Sequence, residues 1–330
     1  MNYDELPSPE KANKENSPAE FAWVLPPSEA AARLEPLPRP KRLWLAVLLF
    51  LATFATCVAM GRQFALAFER GEAADLGEIS VSLKLLCKDP TALAPGVSFA
   101  LALLGILLVH ELGHYFACRY HKIRASYPYF IPFPSLIGTL GAFILMRSPI
   151  RSRRALFDVG ASGPLAGFCV AVPVLIWGVA HSRVVPGLAS ENAQVVFGAP
   201  LALRLLARWF FPGANPLTLL LHPVGRAAWV GLFATALNLL PMGQLDGGHV
   251  LRSVNARLHR WAGWLVPAAL VLLGYFEWPV WWMWAAILLG LRFLRIPPVQ
   301  DQRPLDSTRL VLAIITLLVM LLCFMPAPIS

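Results

Sequence analysis

A long apolar run that carries charge-bearing side chains limits this chain more than any other feature. Residues 97–109 are nearly all Leu, Ala, Ile, Val, Phe or Gly, and the same run then continues through His110-Glu111-Leu112-Gly113-His114. A run this apolar and this long reads as a helix that crosses a bilayer. Two imidazoles and a carboxylate inside such a span are costly to place there, so they mark a functional site. Helical geometry puts His110 and His114 on one face, one turn apart, where both can grip a single metal ion. Glu111, next to them, is placed to act as general base on water.

Composition agrees. Of 330 residues, 57% are hydrophobic and 14% charged, against about 25% charged in an ordinary soluble domain. The expected class is an all-α polytopic membrane protein. The net charge of +9 is what Arg-rich cytoplasmic loops contribute in such a chain. No basic stripe interleaved with aromatics argues for nucleic acid, and none is expected as a partner. Cys57, Cys87, Cys118, Cys169 and Cys323 have no C-x-x-C spacing and fall mostly in apolar runs. They read as small buried hydrophobes.

Four regions are expected. Residues 1–42 are rich in Pro, Glu and Ala without apolar periodicity and read as a disordered cytoplasmic tail. Residues 43–95 hold a first span, near 43–60, and a polar connection in which Ile79-Ser80-Val81-Ser82-Leu83 alternates like a short strand. Residues 96–255 hold the metal site, and residues 256–330 hold further apolar helices. Counting apolar segments gives about seven spans. With the N-terminus in the cytoplasm, alternate crossings place the Arg-rich loops 119–155, 249–260 and 295–308 all on the cytoplasmic side. The later ends of the second and fourth spans then share one side. The metal would lie roughly 6–12 Å inside the cytoplasmic face.

Three stretches serve the site. In the segment 127–134, three prolines forbid a helix, and Gly138 to Ile144 then reads as a strand or hairpin. Such backbone is tolerated at membrane depth only where protein buries it or water reaches it. A re-entrant loop or small β-hairpin beside the metal is expected, with Gly138, Thr139 and Gly141 on a strand whose edge can hold a substrate extended. The small-residue segment Gly160-Ala161-Ser162-Gly163-Pro164-Leu165-Ala166-Gly167 lets neighbouring helices approach closely and is expected to pack rather than react. Pro241 and Gly243 break the fourth span just before Asp246, which becomes the third ligand of a catalytic zinc. Asn238, about two turns earlier, can donate to an oxyanion or to substrate backbone. Arg147, Arg151, Arg153 and Arg154 read as a topology signal. Residues 193–211 resemble an interfacial amphipathic helix. His121, His181, His222, His249 and His259 read as interfacial, with His249 drawing attention because it follows Asp246 closely.

Together these residues resemble the site-2 protease family of intramembrane zinc metalloproteases. The likeness rests on His110 to His114, on Gly163 to Gly167, and on Asn238 to Pro241 with Leu245-Asp246-Gly247. It covers about residues 96–255 and is similar to a bacterial and plastid branch. It implies a core of three transmembrane helices, zinc on His110, His114 and Asp246, and Glu111 as the catalytic residue. The implied substrates are single-span membrane proteins such as anti-sigma factors or membrane-tethered regulators, cut in regulated proteolysis. The implied setting is a bacterial inner membrane. The loops leave no room for a PDZ domain between core helices. Two other readings compete: a silent protein that binds client helices, and a metal transporter, for which no second copy of either motif is found.

Overall fold

The computed structural model describes residues 43–72, 79–134, 137–186, 197–215, 218–292 and 299–328. The expected tail at residues 1–42 lies outside them. The described chain is helical with two small two-stranded sheets. Its helices are α1 (Leu43–Arg70), α2 (Ile79–Lys88), α3 (Val97–Tyr120), α4 (Arg153–Ala180), α5 (Leu201–Phe210), α6 (Pro223–Asn238), α7 (Asp246–Val254), α8 (Ala256–Phe276), α9 (Val280–Arg292) and α10 (Ser307–Cys323). Among the described residues, three segments are long and apolar enough to cross a membrane: Leu43–Arg70, Thr91–Tyr120 and Arg153–Ala180. The later apolar helices α9 and α10 are shorter, so the seven crossings expected from the sequence are not established.

The centre of the molecule is α3, α4 and α6. Phe99, Leu103, Leu104 and Ile106 of α3, Leu175 of α4, and Trp229 and Leu232 of α6 are fully buried in one cluster. In a membrane protein this interior is held by close packing more than by the hydrophobic effect. Helix α4 runs unbroken through Pro164 and Pro173, which packed neighbours make tolerable. Its N-terminus is capped by Ser152, whose Oγ accepts from the Ala155 amide at 3.0 Å. Helix α6 opens with Pro223 at its first turn, and His222 Nδ1 accepts from the Val224 amide.

Helix α1 flanks the core and extends past the expected end of the first span, to Arg70. Its polar residues Arg62 and Gln63 both donate to Ser82 Oγ, at 3.3 and 2.6 Å. Ser82 lies on α2, which corrects the strand expected at residues 79–83. A lone strand there would have no partner for its backbone groups, whereas a helix satisfies them internally and delivers Ser82 to Arg62 and the buried Gln63. A 3-10 turn, Pro90–Gly96, capped by Asp89, then leads into α3.

Between α3 and α4 the chain forms the expected hairpin. β1 (Tyr129–Pro132) pairs antiparallel with β2 (Thr139–Phe143), with a bulge between Phe130 and Pro132. α1 fixes its turn: Thr56 Oγ1 donates to the Gly138 carbonyl at 2.6 Å. Gly138 has φ +80, and a Cβ there would stand 2.6 Å from Cys57 Cα. A second two-stranded sheet joins β3 (Arg183–Val184) to β4 (Leu219–Leu220). Helix α5 covers the later part of the expected amphipathic stretch, with Ala202, Leu203 and Ala207 buried and Leu205 and Trp209 exposed. Residues 193–196 lie outside the described residues.

Candidate metal centre

His110 and His114 sit on consecutive turns of α3, both buried. Gly113 lets α3 reach α4 at this point: a Cβ there would stand 2.5 Å from the Ser162 carbonyl. On the α4 side, Gly163 and Gly167 leave room for the two rings. A Cβ at Gly163 would lie 2.1 Å from His114 Nε2, and one at Gly167 would lie 3.1 Å from His110 Nδ1. The small-residue segment does pack as expected, and what it packs against is the pair of imidazoles.

Asp246 arrives by a different route. After α6 ends at Asn238, the chain turns through Pro241 and through Gly243 at φ +59. It then restarts as α7, with Asp246 in the first turn. The two glycines that follow make the fold-back possible. A Cβ at Gly247 would stand 2.0 Å from the Leu239 carbonyl oxygen, and one at Gly248 2.4 Å from that of Met242. Helix α7 seats on α4 at Gly160, where a Cβ would meet His249 Cβ at 2.7 Å.

The three donor atoms converge. His110 Nε2 and His114 Nε2 are 3.2 Å apart, and Asp246 Oδ2 lies 3.4 and 3.3 Å from them. A tetrahedral zinc with bonds of about 2.0–2.1 Å separates its ligands by about 3.3–3.4 Å. The hydrogen bonds also define which lone pairs face inward. His114 Nδ1 lies 2.7 Å from the Val159 carbonyl, which can only accept, so Nδ1 carries a proton and, in the neutral ring that binds a metal, Nε2 presents its lone pair. The Asn238 amide Nδ2, 3.3 Å from His110 Nε2, can only donate, so that nitrogen also presents a lone pair. Two imidazole lone pairs and a carboxylate oxygen thus face one another. This arrangement suits a cation between them. The proton on His114 Nδ1 is the orienting hydrogen bond that metal-ligating histidines require. The residues fit the group.

Glu111 is buried beside this trio. It shares with the trio a cleft of about 230 Å³, lined on the hairpin side by Ala142, Phe143, Ile144 and Met146. Ile144 of the hairpin lines the cleft together with Glu111. Gly138, Thr139 and Gly141 do not line the cleft. Thr139 is buried, its Oγ1 donating to the Ile131 carbonyl and accepting from the Gly141 amide. These residues shape the hairpin, while the backbone after them faces the site. Gln244 and His249 line the cleft too. The closeness of His249 to Asp246 in the chain marks it, whereas nothing local marks Gln244.

The sequence matches Peptidase family M50 over residues 98–272. The chain belongs to peptidase family M50. It is 29% identical over 88% of its length to a rice protein named probable zinc metalloprotease EGY1, chloroplastic. It is 32% identical over 65% of its length to the Arabidopsis thaliana protein of that name. To the Arabidopsis protein named probable zinc metalloprotease EGY2, chloroplastic, it is 30% identical over 72% of its length. The aligned regions span 52%, 41% and 43% of those three relatives, so this chain covers about half the length of the curated relatives it matches.

Proposed function

We propose that this member of family M50 is a zinc endopeptidase that hydrolyses peptide bonds within or near the membrane-spanning segments of single-span proteins. One observation carries the reading: three inward-facing donor atoms, on His110, His114 and Asp246, lie within 3.4 Å of one another beside a buried Glu111. The names of the relatives support zinc as the ion.

Each residue then has a task. His110, His114 and Asp246 would hold the ion. Zinc, when bound, supplies Lewis acidity, which polarises an amide carbonyl and makes water a better acid. Glu111 takes a proton from water as general base and returns it to the leaving amine. Asn238, whose amide lies 3.3 Å from His110 Nε2 and which lines the cleft, would donate to the carbonyl oxygen as charge develops on it. The backbone from Ala142 to Ile144 is the edge along which an unwound substrate segment would pair, held extended by main-chain hydrogen bonds.

Placement in a bilayer supports a membrane substrate, because the motif lies in the second of the three long apolar segments, Thr91–Tyr120. The relatives named above are described as chloroplastic, so they lend no support to a bacterial inner membrane or to a cytoplasmic N-terminus. Membrane-tethered regulators are the client class we propose.

The test is cleavage of a single-span reporter co-reconstituted with the protein in lipid vesicles. Cleavage that requires zinc and disappears in Glu111→Gln supports the reading. A reporter that is bound at wild-type levels but never cut by either protein would favour the silent client-binding alternative.

A further inference from the structure

Beyond the three donors and Glu111, one side-chain cluster lies on the same helix–helix seam and has no part in the chemistry above. Helices α3 and α4 meet along a line of paired positions: His110 against Gly167, His114 against Gly163, and then His121 against Asp158. His121 ends α3, about 10.5 Å along the axis from His114. Its Nε2 donates to Asp158 Oδ2 at 2.7 Å. Arg309, in the first turn of α10, grips the same carboxylate through Nε at 2.8 Å and Nη2 at 2.5 Å. Arg309 also pairs with Asp306, the residue that caps α10. The side chains of His121, Asp158 and Arg309 are only 17%, 21% and 20% exposed, so water competes weakly for these bonds.

The next residue after Asp158 is Val159, whose carbonyl accepts the proton of His114 Nδ1. Asp158 is thus one peptide unit from the group that aims the His114 ring. It also ties down both the end of α3 and a helix from outside the core.

We propose that Asp158 is a positioning residue for the metal centre: by holding His121 and Arg309 it fixes the register of α3 on α4 and, through Val159, the direction of the His114 lone pair. A slip of α3 along α4 would carry His114 off Gly163, the place where its ring has room. The chemistry is that of an outer hydrogen-bonding shell, where loss of a partner commonly weakens metal affinity by about 10–100-fold. This inference rests on His110, His114 and Asp246 being the metal ligands.

The experiment measures zinc affinity by chelator competition, and the visible spectrum of the cobalt(II)-substituted protein, on the full chain in detergent. It compares wild type, Asp158→Asn and His121→Ala. Asp158→Asn is expected to weaken zinc binding about 10–100-fold and to change the cobalt spectrum while helix content and elution stay as in wild type. His121→Ala leaves the Asp158–Arg309 pair intact, so it should fold even if Asp158→Asn does not. It is expected to lower affinity in the same direction with the same spectral change. A folded Asp158→Asn or His121→Ala protein with wild-type affinity and spectrum overturns the proposal and leaves the metal site standing. A folded wild type that binds no zinc overturns both.

Discussion

The Cα of Gly163 faces the imidazole of His114 so closely that a methyl group there would stand 2.1 Å from Nε2. The glycine is therefore part of how the metal site is built, because it vacates the volume that the ligand occupies. Gly167 does the same for His110 with more slack, at 3.1 Å.

This difference gives a graded prediction. Gly163→Ala forces the His114 ring out of line, at about 1–3 kcal/mol of overpacking, and should weaken zinc binding by tenfold or more (about the loss typical of disturbed metal shells). Gly167→Ala should weaken it less. Gly105→Ala, on the same helix as His114 but with nothing within 4 Å, should leave it unchanged. Chelator competition on the three purified variants checks the order.

Glu111 and the ligands should separate cleanly. Glu111→Gln keeps the size of the side chain and removes its basicity, and Glu111 is not one of the three converging donors. Bound zinc should stay at the wild-type level while reporter cleavage falls by about 10²–10⁴-fold, the usual contribution of a general base. Metal content and turnover measured on one preparation decide it.

How much of this was legible in the sequence depends on how far apart the partners lie. His110 and His114 are four residues apart, so helical periodicity alone brings them together. Asp246 is more than a hundred residues away and was reached through the chain break at Pro241 and Gly243, which the structure bears out as the turn before α7. The hairpin was readable because prolines rule out a helix at residues 128–134, and it forms beside the site. The Ile79–Leu83 alternation misled, since five residues of alternating Ser and aliphatic side chains fit a strand or one face of a short helix. The partner that decides between them, Arg62 with Gln63, is far away in sequence. The His121–Asp158–Arg309 cluster spans separations of 37 and 151 residues, and no local pattern announces it.

The Arg-rich segment at the start of α4 has a structural task besides the topology signal expected of it. Arg153 donates to the Ser253 and Val254 carbonyls, which satisfies the C-terminal end of α7, the helix that presents Asp246. Arg153→Met should destabilise the protein by about 1–2 kcal/mol, near the lower end for hydrogen bonds from a charged donor because the site is partly open to solvent. A lowered thermal midpoint, with Arg151→Met nearer to wild type, is the expected readout.

The hairpin offers a substrate-side prediction. Gly138→Ala places a Cβ at φ +80 against the Cys57 backbone. Strain at such a position costs on the order of 1–3 kcal/mol and should shift the edge formed by Ala142 to Ile144. Reporter KM should rise about tenfold with bound zinc unchanged. A fall in kcat alone, with KM as in wild type, would speak against edge pairing as the way substrate is held.

The central claim is a metal site made jointly by α3 and α7. The most direct measurement is bound metal in detergent-purified wild type, His114→Ala and Asp246→Ala, all verified as folded. The account predicts about one zinc per chain in wild type and loss or marked weakening in both variants. Zinc retained at full affinity in Asp246→Ala, or absent from folded wild type, would contradict it.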